Sequence, residues 1–208
     1  MNSPLFHFYP RVINKIVEHA RPIIRDTVIN SIINGRLMPR RGRSHLLTLV
    51  GHDIHPSAVV FPDVFLGSAH GLKMGPLSFI NYGSFLDLCA PVSIGDRTAI
   101  GYQVMLITGS HQIGAAHSRA GALQPKAITI GNGVWIGARA IVLPGVSIED
   151  GCVIAAGAVV TQDCGRDGLY AGVPALRVRD LDNPPDGLNE AKQEPTPPSQ
   201  LTFREQNT

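Results

Sequence analysis

The sequence predicts an all-β solenoid, a parallel β-helix of about five coils with an N-terminal helical segment. Three observations predict it. Aliphatic residues recur every six positions, and glycine often follows them. The chain is 44% hydrophobic but only 6% aromatic, with 22 Gly and 16 Pro. Val, Ile and Ala must therefore build the core, as thin stacked layers require.

Residues 1–50 form the N-terminal segment. Ile13, Ile16, Val17, Ala20, Ile24, Val28 and Ile32 recur at near-helical spacing. Pro22 splits this stretch or begins a second helix. The segment holds eight basic residues (Arg11, Lys15, Arg21, Arg25, Arg36, Arg40, Arg41, Arg43) against Glu18 and Asp26. Such helices either pack their apolar stripe on the body, the preferred reading, or lie on an anionic membrane through residues 1–45.

Residues 51–165 carry the repeat. Ile54, Val60 and Leu66 are followed by Met74, Ile80 and Leu86, then by Ile94, Ile100 and Leu106. After an interruption come Ile130, Ile136, Val142, Ile148, Ile154 and Val160. A second inward set is Val134, Ala140, Val146, Cys152, Ala158 and Cys164. The eight-residue steps from Leu66 to Met74 and from Leu86 to Ile94 mark two-residue insertions at corners. A six-residue unit is one short strand and one turn, and three units close a triangular coil. The aliphatic residue points inward and stacks on its equivalent in the next coil. Gly95, Gly101, Gly131 and Gly137 are read as bend residues, chosen because glycine tolerates positive φ. A sandwich would instead show strict alternation with turns every eight to twelve residues. Cys152 and Cys164 fall at inward positions and read as reduced core residues. Three cysteines without a CxxC pair give no disulfide framework. Residues 166–183 close the solenoid, and the Pro-rich 184–208 tail is expected to be disordered.

The net charge of +2 gives no footprint for nucleic acid. No apolar run has the length of a membrane span, and no signal-peptide pattern opens the sequence. The expected location is cytoplasmic, with the inner membrane surface as the variant that the basic helices would favour.

Leu106 and Ile130 lie twenty-four residues apart, a multiple of six, yet the pattern vanishes between them. Residues 108–127 are therefore a loop thrown out from the coil. A long loop on a rigid scaffold is usually functional, and this one opens with His111.

The motifs now resemble a known family. They are Asn81, the Leu86-Asp87 pair, PVSIGD at 91–96, TGSH at 108–111, IGNGVWIG at 130–137, LPG at 143–145, IAAGAVVT at 154–161 and AGVPA at 171–175. Together they are similar to the maltose/galactoside O-acetyltransferase group of hexapeptide-repeat enzymes, with a closer likeness to the branch acting on capsular and other cell-surface polysaccharides. The resemblance covers about residues 50–180. It implies a left-handed coil, acetyl-CoA as cosubstrate, no metal, and a sugar or polysaccharide hydroxyl as acceptor. It also implies a homotrimer with active sites between neighbouring subunits.

Position by position, the resemblance makes His111 the general base. Unperturbed imidazole titrates near pH 6.5, so a neutral, basic form is available at pH 7. A sugar hydroxyl needs such a base before it attacks a thioester, and general base catalysis contributes roughly 10²–10⁴-fold. Backbone N–H groups of the next coil are candidates for holding the oxyanion. Asn81 and Asp87 match positions that bind the acceptor or orient the histidine; a polar corner residue capping its own turn is the plainer alternative. Ala138, Ala156 and Thr161 match the pantetheine groove, and Arg179 a contact to the CoA phosphates. Gln162 and Leu176 depart from the basic residues common there, and Arg177 is the candidate substitute for the second. Trp135 reads as packing on a neighbouring chain, and His117 as an exposed loop residue. Three other functions stay open on the same fold. They are a non-catalytic assembly protein, an N-acetyltransferase acting on an amino-sugar, and a zinc enzyme of the γ-carbonic anhydrase type, which needs three converging histidines.

Overall fold

The computed structural model describes residue 20 and residues 22–182. The apolar stripe before residue 20 and the 184–208 tail lie outside the described residues.

The body is a left-handed parallel β-helix. Its first face stacks Asp53–Ile54, Leu72–Met74, Val92–Ile94, Ile128–Ile130 and Ser147–Ile148. The second stacks Val59–Val60, Phe79–Ile80, Ala99–Ile100, Trp135–Ile136, Val153–Ile154 and Gly168–Ala171. The third stacks Phe65–Leu66, Phe85–Leu86, Met105–Leu106, Ile141–Val142 and Val159–Val160. That makes the expected five coils and the start of a sixth, in which Cys164 bridges Ile148 and Gly168–Ala171 extends the second face. An antiparallel strand, Leu176–Asp180, then covers Gly168–Ala171 and ends the sheet.

The hexad residues stack as their spacing requires. Ile80 pairs with Ile100, Ile100 with Ile136 and Ile136 with Ile154, and all four are fully buried. Cys152 and Cys164 lie in the same buried core, where burial raises both thiols and pushes Cys164 up to about 12. They stay protonated and unreactive at neutral pH.

The glycine reading needs a correction. Gly95, Gly101, Gly131 and Gly137 do not adopt positive φ; that conformation falls two residues later, at Arg97, Gln103, Gly133 and Arg139. The four glycines are required by the neighbouring coil. A Cβ on Gly101 would stand 2.6 Å from the Ile136 carbonyl oxygen, and one on Gly137 would stand 2.5 Å from the Ala156 nitrogen. Both distances are far inside van der Waals contact.

A further device adds to the stacking. At the corner between the first and second faces, a side chain of the fourth coil and one of the fifth each accept a backbone N–H from the coil before. The Asp96 N–H donates to Asn132 Oδ1 at 2.8 Å, and the Asn132 N–H to Asp150 Oδ1 at 2.7 Å.

The N-terminal end of the solenoid is capped by helix. Asp26–Ile33 is π-helical, and Arg40–Val50 forms an α-helix, α1, ending at Gly51 with φ +124°. Ile29, Ile33 and Leu47 join the solenoid core. The segment packs on the body, but through a different face from the one the spacing predicted: Ile24, Val28 and Ile32 of the predicted stripe are exposed, and it buries Ile29 and Ile33 instead. Its charge is also less free than composition implied. Arg43 is fully buried and donates to the carbonyls of Ile33, Gly35, Met38 and Val60. Arg36 pairs with Asp63, and the Arg40 guanidinium lies 5.0 Å over the Phe61 ring. No helix among the described residues is long and apolar enough to cross a membrane.

Candidate functional site

The irregularities of the solenoid gather on one corner, between the third face and the first. The two-residue insertions at 67–71 and 87–91 lie there, and the long interruption lies above them. It is not an open loop. His111–Ile113 and Ala120–Leu123 pair as an antiparallel hairpin, His111 opposite Leu123. The hairpin is closed at its base by the Lys126 N–H on the Thr108 carbonyl (2.8 Å) and the Gln124 N–H on the Ser110 carbonyl (2.7 Å).

His111 stands exposed on the first strand of this hairpin. Its Nδ1 is 2.9 Å from the Gly121 carbonyl oxygen on the opposite strand. A carbonyl only accepts, so Nδ1 carries a proton, and in the neutral ring the lone pair lies on Nε2. The hairpin thus selects the tautomer in which Nε2 is a base directed away from its own backbone.

Asp87 secures the hairpin root. One carboxylate oxygen accepts from the Thr108 hydroxyl, from the Thr108 N–H at 2.9 Å and from the Cys89 N–H at 3.4 Å; the other accepts from the Gly109 N–H at 2.8 Å. Burial alone would raise this acid, but the hydrogen bonds outweigh it and hold Asp87 below the usual carboxylate range. Asp87 caps its own turn through the Cys89 N–H, as the plainer reading had it, and also holds Thr108 and Gly109 at the base of the hairpin that carries His111.

Asn81 sits on a different corner, between the second and third faces. It is 4% exposed, and its Oδ1 is buried without a partner among the described residues. Ala138 and Ala156 occupy the next position along this corner, in the coils above. The Gly157 N–H donates to the Ala138 carbonyl at 2.9 Å and the Arg139 N–H to the Tyr102 carbonyl at 2.8 Å, so Tyr102, Ala138 and Ala156 form one column. Thr161 belongs to the hairpin's corner, directly after the third-face strand Val159–Val160. Within one chain, then, Asn81, Ala138 and Ala156 share one corner while His111, Asp87 and Thr161 share another, with the third face between them.

Arg179 is exposed on the final strand and forms no ion pair among the described residues. Arg177 is committed elsewhere. Its guanidinium donates to Asp180, to the hydroxyl of Tyr170 and to the carbonyls of Gly165, Arg166 and Asp167. All five N–H groups are taken, and the side chain pins the last strand to the sixth turn. The proposed substitution of Arg177 for a phosphate ligand therefore lacks a free donor. Leu176 beside it is exposed. Trp135 is 58% exposed on the outer surface of the second face, and His117 is exposed in the hairpin turn. Among the described residues no three His, Cys, Asp or Glu side chains gather in a metal-holding group.

Comparison with known proteins fits this architecture. Residues 127–162 match the family described as bacterial transferase hexapeptide (six repeats). A Schizosaccharomyces pombe protein named for acetyltransferase activity is 37% identical over 123 residues, 59% of this chain and 59% of that protein, less than two thirds of its length. The galactoside O-acetyltransferase of Escherichia coli is 30% identical over 141 residues, 68% of this chain and 70% of that enzyme. A hexapeptide-repeat acetyltransferase of Vibrio cholerae, solved in complex with acetyl coenzyme A, superposes with a TM-score of 0.67 at 30% identity, covering 76% of this chain and 86% of that one. With the repeat, the solenoid and an alignment spanning most of the Escherichia coli enzyme in agreement, the chain belongs to the hexapeptide-repeat acetyltransferase family.

Proposed function

We propose that the protein transfers acetyl from acetyl-CoA to a hydroxyl of a sugar or polysaccharide, with His111 as general base. The observation that carries this reading is the 2.9 Å bond from His111 Nδ1 to the Gly121 carbonyl, which leaves Nε2 able to accept a proton. Acetyl-CoA supplies the activated acyl group. His111 Nε2 takes the acceptor hydroxyl proton and holds it for return to the departing thiolate. Asp87 fixes the hairpin so that the imidazole stays in place. Asn81, whose Oδ1 is buried and unpaired, has an acceptor to give to a substrate hydroxyl or amide once its side chain turns outward. The bare Ala138 and Ala156 leave room for a pantetheine arm, and Arg179 is the basic side chain available to its phosphates. A sugar acceptor is supported by the similarity to an enzyme named for galactoside.

The site is completed between subunits of a homotrimer. The separation of Asn81 and His111 onto different corners supports this, because only a second copy can set one opposite the other. So do the outer surfaces. The second face presents Val59, Phe79, Ala99, Trp135, Val153 and Leu169 in register, and the third presents Phe65, Phe85, Met105, Ile141 and Val159. The first face shows Asp53, Lys73, Ser93, Thr129 and Ser147 instead. Two apolar outer ladders and one polar one suit a ring of copies with a single face to water. The enzyme acts in the cytoplasm, where acetyl-CoA is made.

Thiol release from acetyl-CoA against a panel of mono- and oligosaccharides, amino-sugars included, tests the acceptor class. Ester products, labile to mild alkali, support the reading. Alkali-stable amides formed only on amino-sugars would make the protein an N-acetyltransferase instead.

A further inference from the structure

The column that contains Ala138 and Ala156 changes character abruptly one coil below them. There it carries Tyr102, and a coil lower Tyr82, since the Gln103 N–H donates to the Tyr82 carbonyl at 3.0 Å and the Arg139 N–H to the Tyr102 carbonyl at 2.8 Å. The two rings lie nearly parallel, 11° apart, with centroids 6.3 Å from each other. Tyr82 in turn meets the buried ring of Phe61 at 5.0 Å, and Arg40 covers Phe61 from beyond. The pile Arg40, Phe61, Tyr82, Tyr102 is braced from below and ends at Tyr102, which is 42% exposed. Its neighbour in the next coil is Ala138, a single methyl that cannot cover a phenol ring.

The corner is thus bulky through three coils and bare above them. A ligand running down the bare part of the corner passes Ala156, then Ala138, and meets Tyr102, while Arg179, paired with Leu169, stands to one side of its upper end on the second face. Four strand spacings of about 4.8 Å separate the level of Arg179 from that of Tyr102, roughly 19 Å along the solenoid axis. That is the scale of an extended pantetheine arm with its thioester at the lower end.

We propose that Tyr102 is the acyl-length determinant of this enzyme: its ring closes the lower end of the pantetheine channel and admits acetyl while excluding longer acyl chains. The proposal rests on the acetyl-CoA reading above and adds to it a specificity-determining residue. A two-carbon chain ends against the ring; each further methylene must either displace the ring or leave the channel, and the braced pile keeps the ring from moving. Removing the ring opens the space down to Tyr82.

The test measures binding of CoA, acetyl-CoA, propionyl-CoA and butyryl-CoA to the full-length protein by calorimetry, in wild type, Tyr102→Ala and Tyr102→Phe. The wild type is expected to prefer acetyl-CoA over butyryl-CoA. Tyr102→Ala is expected to shift that ratio at least ten-fold toward butyryl-CoA, and Tyr102→Phe, which keeps the ring, to retain it. CoA binding with an unchanged ratio in Tyr102→Ala overturns the role of Tyr102 alone. Failure of the wild type to bind CoA or any acyl-CoA overturns both this proposal and the reading it rests on.

Discussion

The half-buried carboxylate of Asp87 and the buried imidazole of His52 both report on the corner that carries the hairpin, and pH separates them. Hydrogen bonds depress Asp87, so its stabilising contribution is present above the ordinary carboxylate pKa near 3.9 and is lost as pH falls through its lower folded value. In Asp87→Asn the amide must set an N–H against a backbone donor of Thr108 or Gly109. The root of the hairpin loosens, and kcat is expected to fall about 10- to 100-fold with little change in KM for acetyl-CoA; steady-state kinetics against both substrates checks this. His52 is 3% exposed, accepts the Leu72 N–H at Nδ1 (3.3 Å), and has Nε2 buried near Ser68 without a well-formed bond. Burial first, then the nearby His70, lowers it to about 4. The unfolded chain therefore binds a proton at this site between pH 6.5 and about 4 while the folded chain does not. Stability is full above that window and falls through it by a few kcal/mol, on the order of 3. Denaturation curves across pH 4–7 should show this slope in the wild type and a smaller one in His52→Gln. Side chains of this kind were the least legible from sequence. Arg43 and Arg177 look like surface charge in any one-dimensional reading, yet one is wholly buried and the other has every donor occupied. An arginine is placed by the carbonyls that surround it after folding, and those come from distant segments.

At the level of the coil, the repeat was legible because each hexad residue meets its own equivalent, so the pattern of contacts is the pattern of the sequence. The hairpin was legible as a gap in that register. Its antiparallel pairing and the Nδ1 bond to Gly121 were not, since they depend on two strands without the periodicity that marks the rest. The glycines were found but misread, because their reason lies in the next coil. This has a measurable consequence. Gly137→Ala puts a Cβ 2.5 Å from the Ala156 nitrogen and should cost at least about 3 kcal/mol. Gly157 adopts φ +72°, and a Cβ there would meet nothing within 4 Å, so Gly157→Asn should cost only about 1 kcal/mol. Thermal denaturation of the two variants gives the comparison; similar losses would mean that backbone conformation, not inter-coil contact, selects glycine after the hexad residue.

The whole molecule is a prism with two apolar outer faces and a hairpin, bearing His111, on a different corner from Asn81, Ala138 and Ala156. Phe65 and Phe85 stack at 4.8 Å and 4° on the third face, and Trp135 stands on the second. If these faces form the proposed trimer interface, Phe85→Glu and Trp135→Glu should each yield smaller species than the wild type by light scattering, with loss of transfer activity, because burying a carboxylate in an apolar interface costs several kcal/mol. The aromatic pile under Tyr102 likewise emerges only at this scale: its members, Phe61, Tyr82 and Tyr102, are about twenty residues apart in sequence and meet only because successive coils stack. The most direct measurement of the central claim is turnover of acetyl-CoA with the best sugar acceptor in wild type and His111→Ala, with CoA affinity measured in parallel. A loss of at least about 10²-fold in turnover with CoA affinity unchanged is the expected result; equal turnover in the two proteins would contradict the assignment of His111 as the base.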